Sequence, residues 1–352
     1  MPKPIQSIIM SGGQGDVIMA ALGLTALRSL VPEAIAPEAR VYTRSLAADV
    51  TQTLLPNLDV RGMQGMGRPQ RPRYFTSADT SWSTVIRNWF YPDYYVNFAE
   101  HRRRASFGQP RPSIGRRVQT WLNSLKLGPT TDWRHASPLY YGVKMWAPLA
   151  TAHGMDTSAL YRACLETLPQ AQALVKDWVD RRNDAVAPSD IAVFPGAGAF
   201  QYLPVSLVDD LRSKLEPDVR LRCYFAPGDP LIQRYLEAGY QTLTTPSVPE
   251  LLPVLRRSTV VITPDSFVSH LAQLAAPGHI AAMSHDFPAH TLHPAASSVI
   301  CHQPLPCCPC HYFTRPNAES TCASGYAYCN VYDQPLFRRQ LVQAVEEMLV
   351  KS

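Results

Sequence analysis

The sequence predicts an α/β protein of two doubly wound lobes with a cysteine-rich, metal-binding segment near its C-terminus. Three observations carry this. Each half opens with a short apolar run that enters a glycine loop: Ile5–Met10 into Gly12–Gly15, and Ile191–Phe194 into Gly196–Gly198. Apolar strand-like runs then alternate with helix-like runs, as in a parallel sheet with helical crossovers. Six of the eight cysteines lie between Cys301 and Cys329.

A chain of 352 residues is long for one core and suits two lobes of about 150–200 residues each. With 46% hydrophobic and 17% charged residues, the composition is that of a globular protein, neither disordered nor fibrous. The 32 prolines predict many stiff loops. The net charge of +5 permits an anionic partner without requiring one. No run of about 18 apolar residues marks a membrane span. Asp16 interrupts the first apolar stretch, which reads poorly as a secretory signal. The expected location is the cytoplasm, with a peripheral place at the inner membrane as an option.

Taken in order, Ile5–Met10 reads as a strand, Val17–Leu30 as a helix and Ala39–Thr43 as a strand. From Arg61 to Arg117 the pattern degrades into arginines, prolines and aromatics, and no element is assigned. Helical periodicity returns at Ala159–Val179. The polar stretch Asp180–Asp190 reads as a linker. Strands are then expected at Ile191–Phe194, Leu221–Phe225, Val260–Thr263 and His279–Met283. Helices are expected at Ser206–Leu215, Leu231–Ala238, Phe267–Ala275 and Leu336–Val350. The resulting division is 1–180 for the N-terminal lobe, 190–332 for the C-terminal lobe, and 333–352 for a terminal helix.

The first loop, Gly12-Gly13-Gln14-Gly15-Asp16, fails the dinucleotide fingerprint, because Ile18 stands where its last glycine belongs. No Walker lysine follows. Nicotinamide, flavin and P-loop chemistry are therefore not expected. Asp16 has two readings, a helix N-cap or a general base at the carboxyl end of a strand. A helix N-terminus favours the ionised carboxylate in either case. In the second loop, Gly196, Ala197 and Gly198 either wrap an anion with backbone N–H groups or form a tight turn. In the third, Asp265 and Ser266 open the Phe267–Ala275 helix, whose first N–H groups suit a phosphate. His270 lies one turn beyond Ser266. The alternative there is simple capping, with His270 a satisfied surface histidine.

In this order the three loops resemble the signatures of glycosyltransferase family 9, the ADP-heptose:lipopolysaccharide heptosyltransferases and their relatives. The matching stretches are Gly15-Asp16-Val17, Pro195-Gly196-Ala197-Gly198, and Thr263-Pro264-Asp265-Ser266 with His270-Leu271-Ala272. Residues 60–160 show no match. The resemblance implies a GT-B fold, two Rossmann-like lobes facing across a cleft. It implies inverting transfer of a heptose-like sugar from a nucleotide-diphosphate donor, with Asp16 as the base. Gly13, Gln14 and Gly15 would lie on the acceptor side. Gly196, Ala197, Gly198, Asp265, Ser266, Phe267 and His270 would hold the donor. The chain departs from the family after the second loop. Relatives commonly place a lysine there, whereas Ala199–Pro204 contains no cation.

Cys307, Cys310, Cys322 and Cys329 form a plausible four-thiolate set, with Cys308 able to replace Cys307 and His311 or His302 able to enter; the alternative is a group of free, buried cysteines. Zinc is the default ion and iron the alternative. Four protein ligands make the site structural. Some family 9 relatives that glycosylate proteins carry a cysteine metal finger near this place. The stretch His101–Arg117 holds six arginines, Arg102, Arg103 and Arg104 among them, and no acid. It reads either as a solvated face or as a surface for an anionic acceptor, such as a lipid-linked saccharide, a protein or a nucleic acid. A homo-oligomer is compatible with all of this. Three functions follow: an inverting glycosyltransferase, a sugar-nucleotide epimerase of the same fold, or a degenerate, non-catalytic partner.

Overall fold

A computed structural model of the protein describes residues 4–11, 14–63, 94–97, 109–110, 139–182, 189–197, 201–284, 287–305 and 326–351. The chain divides into two compact units, Met1–Ala171 and Gln172–Ser352.

In the first unit, β1 (Ile5–Ser11) leads into α1 (Gln14–Leu30), followed by β2 (Ile35–Arg44), α2 (Ser45–Leu54), β3 (Asp59–Met63), β4 (Tyr94–Asn97) and β5 (Gln109–Pro110). The short helices α3 (Tyr141–Lys144) and α4 (Ala147–Ala152) precede the long α5 (Thr157–Arg182). The sheet runs β3-β2-β1-β4-β5. All pairs are parallel except β4 with β5.

The seat of α1 follows from its composition. Residues Val17 to Leu24 are buried without a break, so the helix is apolar all round and covered on several sides. It touches β1, β2, α2 and α3. Contact with α3 is close because two glycines face each other: a Cβ on Gly23 would lie 1.9 Å from the Gly142 carbonyl oxygen. Trp146, fully buried, donates its indole N–H to the Ala20 carbonyl at 2.8 Å. The glycine contact and the tryptophan bond together fix α1 against α3.

In the second unit, β6 (Ile191–Val193), α6 (Val205–Arg212), β7 (Leu221–Phe225), α7 (Leu231–Glu237) and β8 (Thr242–Thr244) come first. Next are α8 (Val248–Arg257), β9 (Val260–Pro264), α9 (Phe267–Ala275) and β10 (His279–Met283). The unit ends with α10 (Pro288–Thr291), β11 (Val299–His302) and α11 (Pro335–Val350). The sheet is parallel throughout, in the order β11-β10-β9-β6-β7-β8. β9 and β10 are buried at every position, as strands covered on both faces must be. The edge strands β8 and β11 are partly open. Phe337, Leu341 and Val345 of α11 join the same core as Ile191, Ile262 and Ile280.

The polar linker expected at Asp180–Asp190 begins later than the sequence implied. α5 continues through Arg182, where Lys176 pairs with Asp180 at 2.6 Å and Arg182 stacks on Trp178 at 4.6 Å. Such side-chain pairs let a polar run stay helical without a core to pack on. Asp190 instead belongs to the second unit, where it accepts from the Arg220 guanidinium at 2.8 Å.

Candidate functional site

Open α/β sheets bind ligands at the carboxyl ends of strands, where successive connections leave in opposite directions. In the first unit that point lies between β1 and β4, since the chain passes from β1 to β2 and β3 on one side and returns to β4 on the other. In the second it lies between β6 and β9, since β7 and β8 flank β6 while β10 and β11 flank β9. The three loops singled out in the sequence follow β1, β6 and β9. Each stands at a switch point.

The structure corrects one reading of Asp16. It is not the N-cap of α1 but its third residue, in the first turn and half-buried. The helix starts at Gln14, three residues earlier than the apolar pattern alone implied, with Gly15 buried within it. Near the positive end of the helix dipole, a carboxylate at this position is still favoured in its ionised form. Gln14 is half-buried beside it. Gly13 lies outside the described residues, as do Arg102, Arg103 and Arg104.

The loop after β6 is anchored at both ends. The Phe194 N–H donates to Ile262 of β9 at 2.9 Å, and the Leu203 N–H reaches back to Pro195 at 3.0 Å. Gly196 and Ala197 are half-buried; Gly198 lies outside the described residues. Gly196 has no room for a side chain, since a Cβ there would meet Asp229 Oδ2 at 2.6 Å. Asp229 follows a turn in which Gly228 takes a φ of +74°, and it caps α7 through Leu231 N–H at 2.9 Å. Arg234 approaches the exit of the loop, donating to the Tyr202 hydroxyl at 3.3 Å.

Beyond β9 the backbone turns at Asp265, and Ser266 is the N-cap of α9. An N-cap serine ordinarily accepts from the N2 or N3 amide. Ser266 does not: it makes no side-chain cap hydrogen bond, and its Oγ is shielded from solvent with no partner. Ser269, one turn further and fully buried, has an equally unpartnered Oγ. A buried hydroxyl without a partner costs roughly 1–3 kcal/mol. Two of them at one helix N-terminus, beside the Phe267 and Val268 amides that have no intrahelical acceptor, make a set of donors that an anion can satisfy. Asp265 and Phe267 flank them, half-buried.

His270 is not a surface residue as the simpler reading held. It is 6% exposed, and burial lowers its pKa to about 4. At neutral pH it offers hydrogen bonding but no charge. His279, behind it on β10, is held between Thr263 (2.8 Å) and Ser298 (2.7 Å), and burial lowers its pKa to about 3.

Ser269 and Asp229 escaped the sequence reading. Ser269 stands three residues after Ser266, a spacing that places both on one helix face and was legible. Asp229 became visible only through its contact with Gly196.

The sequence matches no protein-family model and no curated protein. Solved structures do match the fold. A glycosyl transferase of family 9 from Veillonella parvula aligns with a TM-score of 0.56 at 13% identity, over 100% of this chain and 99% of that one. The fold is that of glycosyltransferase family 9. ADP-heptose lipopolysaccharide heptosyltransferase II of E. coli aligns at 0.52 and 13% identity, over 99% of both chains. The iron-containing dodecameric glycosyltransferase TibC of enterotoxigenic E. coli aligns at 0.54 and 11% identity, over 99% of this chain and 77% of that one. TibC has also been solved with ADP-D-beta-D-heptose. At these identities the likeness speaks for the fold alone, α/β units built on largely parallel sheets as in these glycosyltransferases.

Of the cysteines in the expected metal set, Cys329 is described. It is a buried thiol before the short 3-10 turn Asn330–Asp333. Cys307, Cys310 and Cys322 lie outside the described residues. Among the described residues no three His, Cys, Asp or Glu side chains gather as metal ligands, and no helix is long and apolar enough to cross a membrane.

Proposed function

We propose that the protein is an inverting glycosyltransferase that moves a heptose-like sugar from a nucleotide-diphosphate donor to a hydroxyl of an anionic acceptor such as lipopolysaccharide core. One observation carries this reading: the unpartnered Ser266 and Ser269 hydroxyls at the N-terminus of α9, at the switch point where the Gly196 loop also begins. These groups suit the donor diphosphate. Ser266 donates to a phosphate oxygen, the Phe267 amide adds a second bond, and the helix dipole supplies positive potential. His270, neutral at physiological pH, adds hydrogen bonding alone. The loop after β6 carries no lysine, so backbone and dipole bear most of the electrostatic load.

Asp16 is the base. It accepts the proton of the acceptor hydroxyl. The freed oxygen bonds to the anomeric carbon, and the bond from that carbon to the donor's phosphate oxygen breaks. The nucleoside diphosphate leaves with its new negative charge at α9. Donor binding thus falls to the second unit and proton removal to the first. The arginines of His101–Arg117 would serve the anionic acceptor.

A structural zinc or iron ion fits the donor set of Cys307, Cys310, Cys322 and Cys329. Thiolates favour such ions, and Cys329 presents a buried sulfur. Four thiolates would close a tetrahedral site and leave no position for substrate. The iron in TibC accords with this. The ion would be structural and take no part in the transfer.

The test is nucleoside-diphosphate release from ADP-heptose with a lipopolysaccharide-core acceptor, in wild type and Asp16→Asn. Loss of a positioned base lowers turnover by about 10²–10⁴, while donor affinity should hold. Equal rates would remove Asp16 from catalysis. Isomerisation of the donor without acceptor would indicate an epimerase, and absence of binding a non-catalytic partner.

A further inference from the structure

The fully buried Tyr332 is part of neither the loops nor the α9 terminus, yet its hydroxyl lies where the segments of the second unit's site converge. It is 3.0 Å from the Gln201 carbonyl oxygen, just beyond the glycine loop, and 3.2 Å from the Ala282 carbonyl oxygen on β10. The Ser284 side chain hydrogen-bonds the same oxygen, and the charge of Asp265 is near enough to act on it. A phenol has one proton to give. Here two carbonyls share it while Ser284 fills the acceptor side. Burial keeps the phenol neutral. The ring is fixed by a T-shaped contact with Phe337 at 5.4 Å. Arg338 holds the backbone of the same turn, donating to the Tyr332 carbonyl at 2.9 Å.

We infer that Tyr332 is a positioning residue for the nucleotide-diphosphate donor. Its hydroxyl ties the exit of the Gly196–Gly198 loop to the end of β10, so that the loop is set before the donor arrives. This rests on the reading of the α9 terminus as the diphosphate site. The physical reason is preorganisation. Without this tie Gln201 would sample more positions, and each donor molecule would have to order it on binding. The Tyr332 hydroxyl fixes Gln201 on the far side of the glycines from Phe194, completing the constraint.

The experiment is calorimetric titration of the full-length protein with ADP, comparing wild type with Tyr332→Phe and Tyr240→Phe. Tyr240 is the control. Its hydroxyl donates to Asp209 of α6 at 2.6 Å. Both variants remove a tyrosine hydroxyl from the same core, so both should lower the melting temperature. Tyr332→Phe alone should raise the ADP dissociation constant, by about three- to tenfold, the range of one net hydrogen bond. Equal affinity in Tyr332→Phe and wild type would overturn the inference and leave the diphosphate site standing. A wild type that binds no ADP or other nucleoside diphosphate would overturn the site itself, and the clamp with it. Should Tyr332→Phe fail to fold, Ser284→Ala takes its place. It frees the phenol to turn away from the carbonyls and should weaken ADP about two- to threefold. Unchanged affinity there would count against the clamp in the same way.

Discussion

Replacing Gly23 by alanine probes how α1, and Asp16 with it, is seated. The added Cβ would lie 1.9 Å from the Gly142 carbonyl oxygen, 2.7 Å from the carbonyl carbon and 2.6 Å from Trp146 Cδ1. All are well inside the roughly 3.5 Å at which such atoms rest. Two are backbone atoms, which cannot rotate away, so α1 and α3 must part by about 1 Å or more. That movement stretches the 2.8 Å bond from the Trp146 indole to Ala20, where water cannot replace it. Overpacking costs about 1–3 kcal/mol, and a weakened buried hydrogen bond costs about 1–3 kcal/mol more. Alanine's better helix propensity returns about 1 kcal/mol. The net expectation is about 3 kcal/mol of destabilisation. Urea unfolding followed by far-ultraviolet circular dichroism reads this. With m near 2 kcal/mol/M, the transition of the first unit should shift down by about 1.5 M. Two compact units need not unfold together, so the second unit's transition serves as an internal reference. A midpoint at or above wild type would refute the close seating of α1 on α3.

Other consequences are equally direct. Ser269→Ala removes a buried hydroxyl that has no protein partner, so the ligand-free protein should be as stable as wild type or more so by up to about 1 kcal/mol, while ADP binding weakens. A clear loss of stability without ligand would show that Ser269 is satisfied within the protein. His270 and His279 have folded pKa values near 4 and near 3, below the ordinary 6.5. The unfolded chain therefore binds more protons as the pH falls below 6.5. The stability these groups contribute is full above that value and drains away down to their folded pKa values. Melting temperature should fall steadily from pH 7 to pH 4.5, with a shallower slope in His279→Gln, and an equal slope in the variant would contradict this. Elemental analysis should find zinc or iron near one equivalent per chain, lost together with thermal stability in Cys310→Ser/Cys322→Ser. Metal-free, fully stable wild-type protein would dismiss the site.

Where the fold was legible, burial and periodicity agreed. Phe267–Ala275 and His279–Met283 were bounded as found, because one is a compact helix behind an N-cap serine and the other a strand apolar on both faces. No helix was expected at α8, which carries Pro249 and Pro253. Its start was nonetheless written in Ser247 and Glu250, a capping box whose serine accepts the Glu250 amide. β8 is three residues, two half-exposed and one exposed, with nothing to mark it. β4 sits among aromatics whose spacing follows neither a helix nor a strand over any useful length. At the candidate site, the loops could be found because glycine and an N-cap serine leave a local signature. Tyr332 could not, since it reaches Gln201 across 131 positions of sequence.

The central claim is that a donor diphosphate sits on the N-terminus of α9. Its most direct test is calorimetric titration of ADP into wild type and Ser266→Leu. Wild type should bind one ADP per chain. In the variant the Ser266 hydroxyl is gone and its place is filled by a bulky side chain, so affinity should fall by tenfold or more, about 1.4 kcal/mol. Equal affinity in the two proteins would place the diphosphate elsewhere and contradict the account.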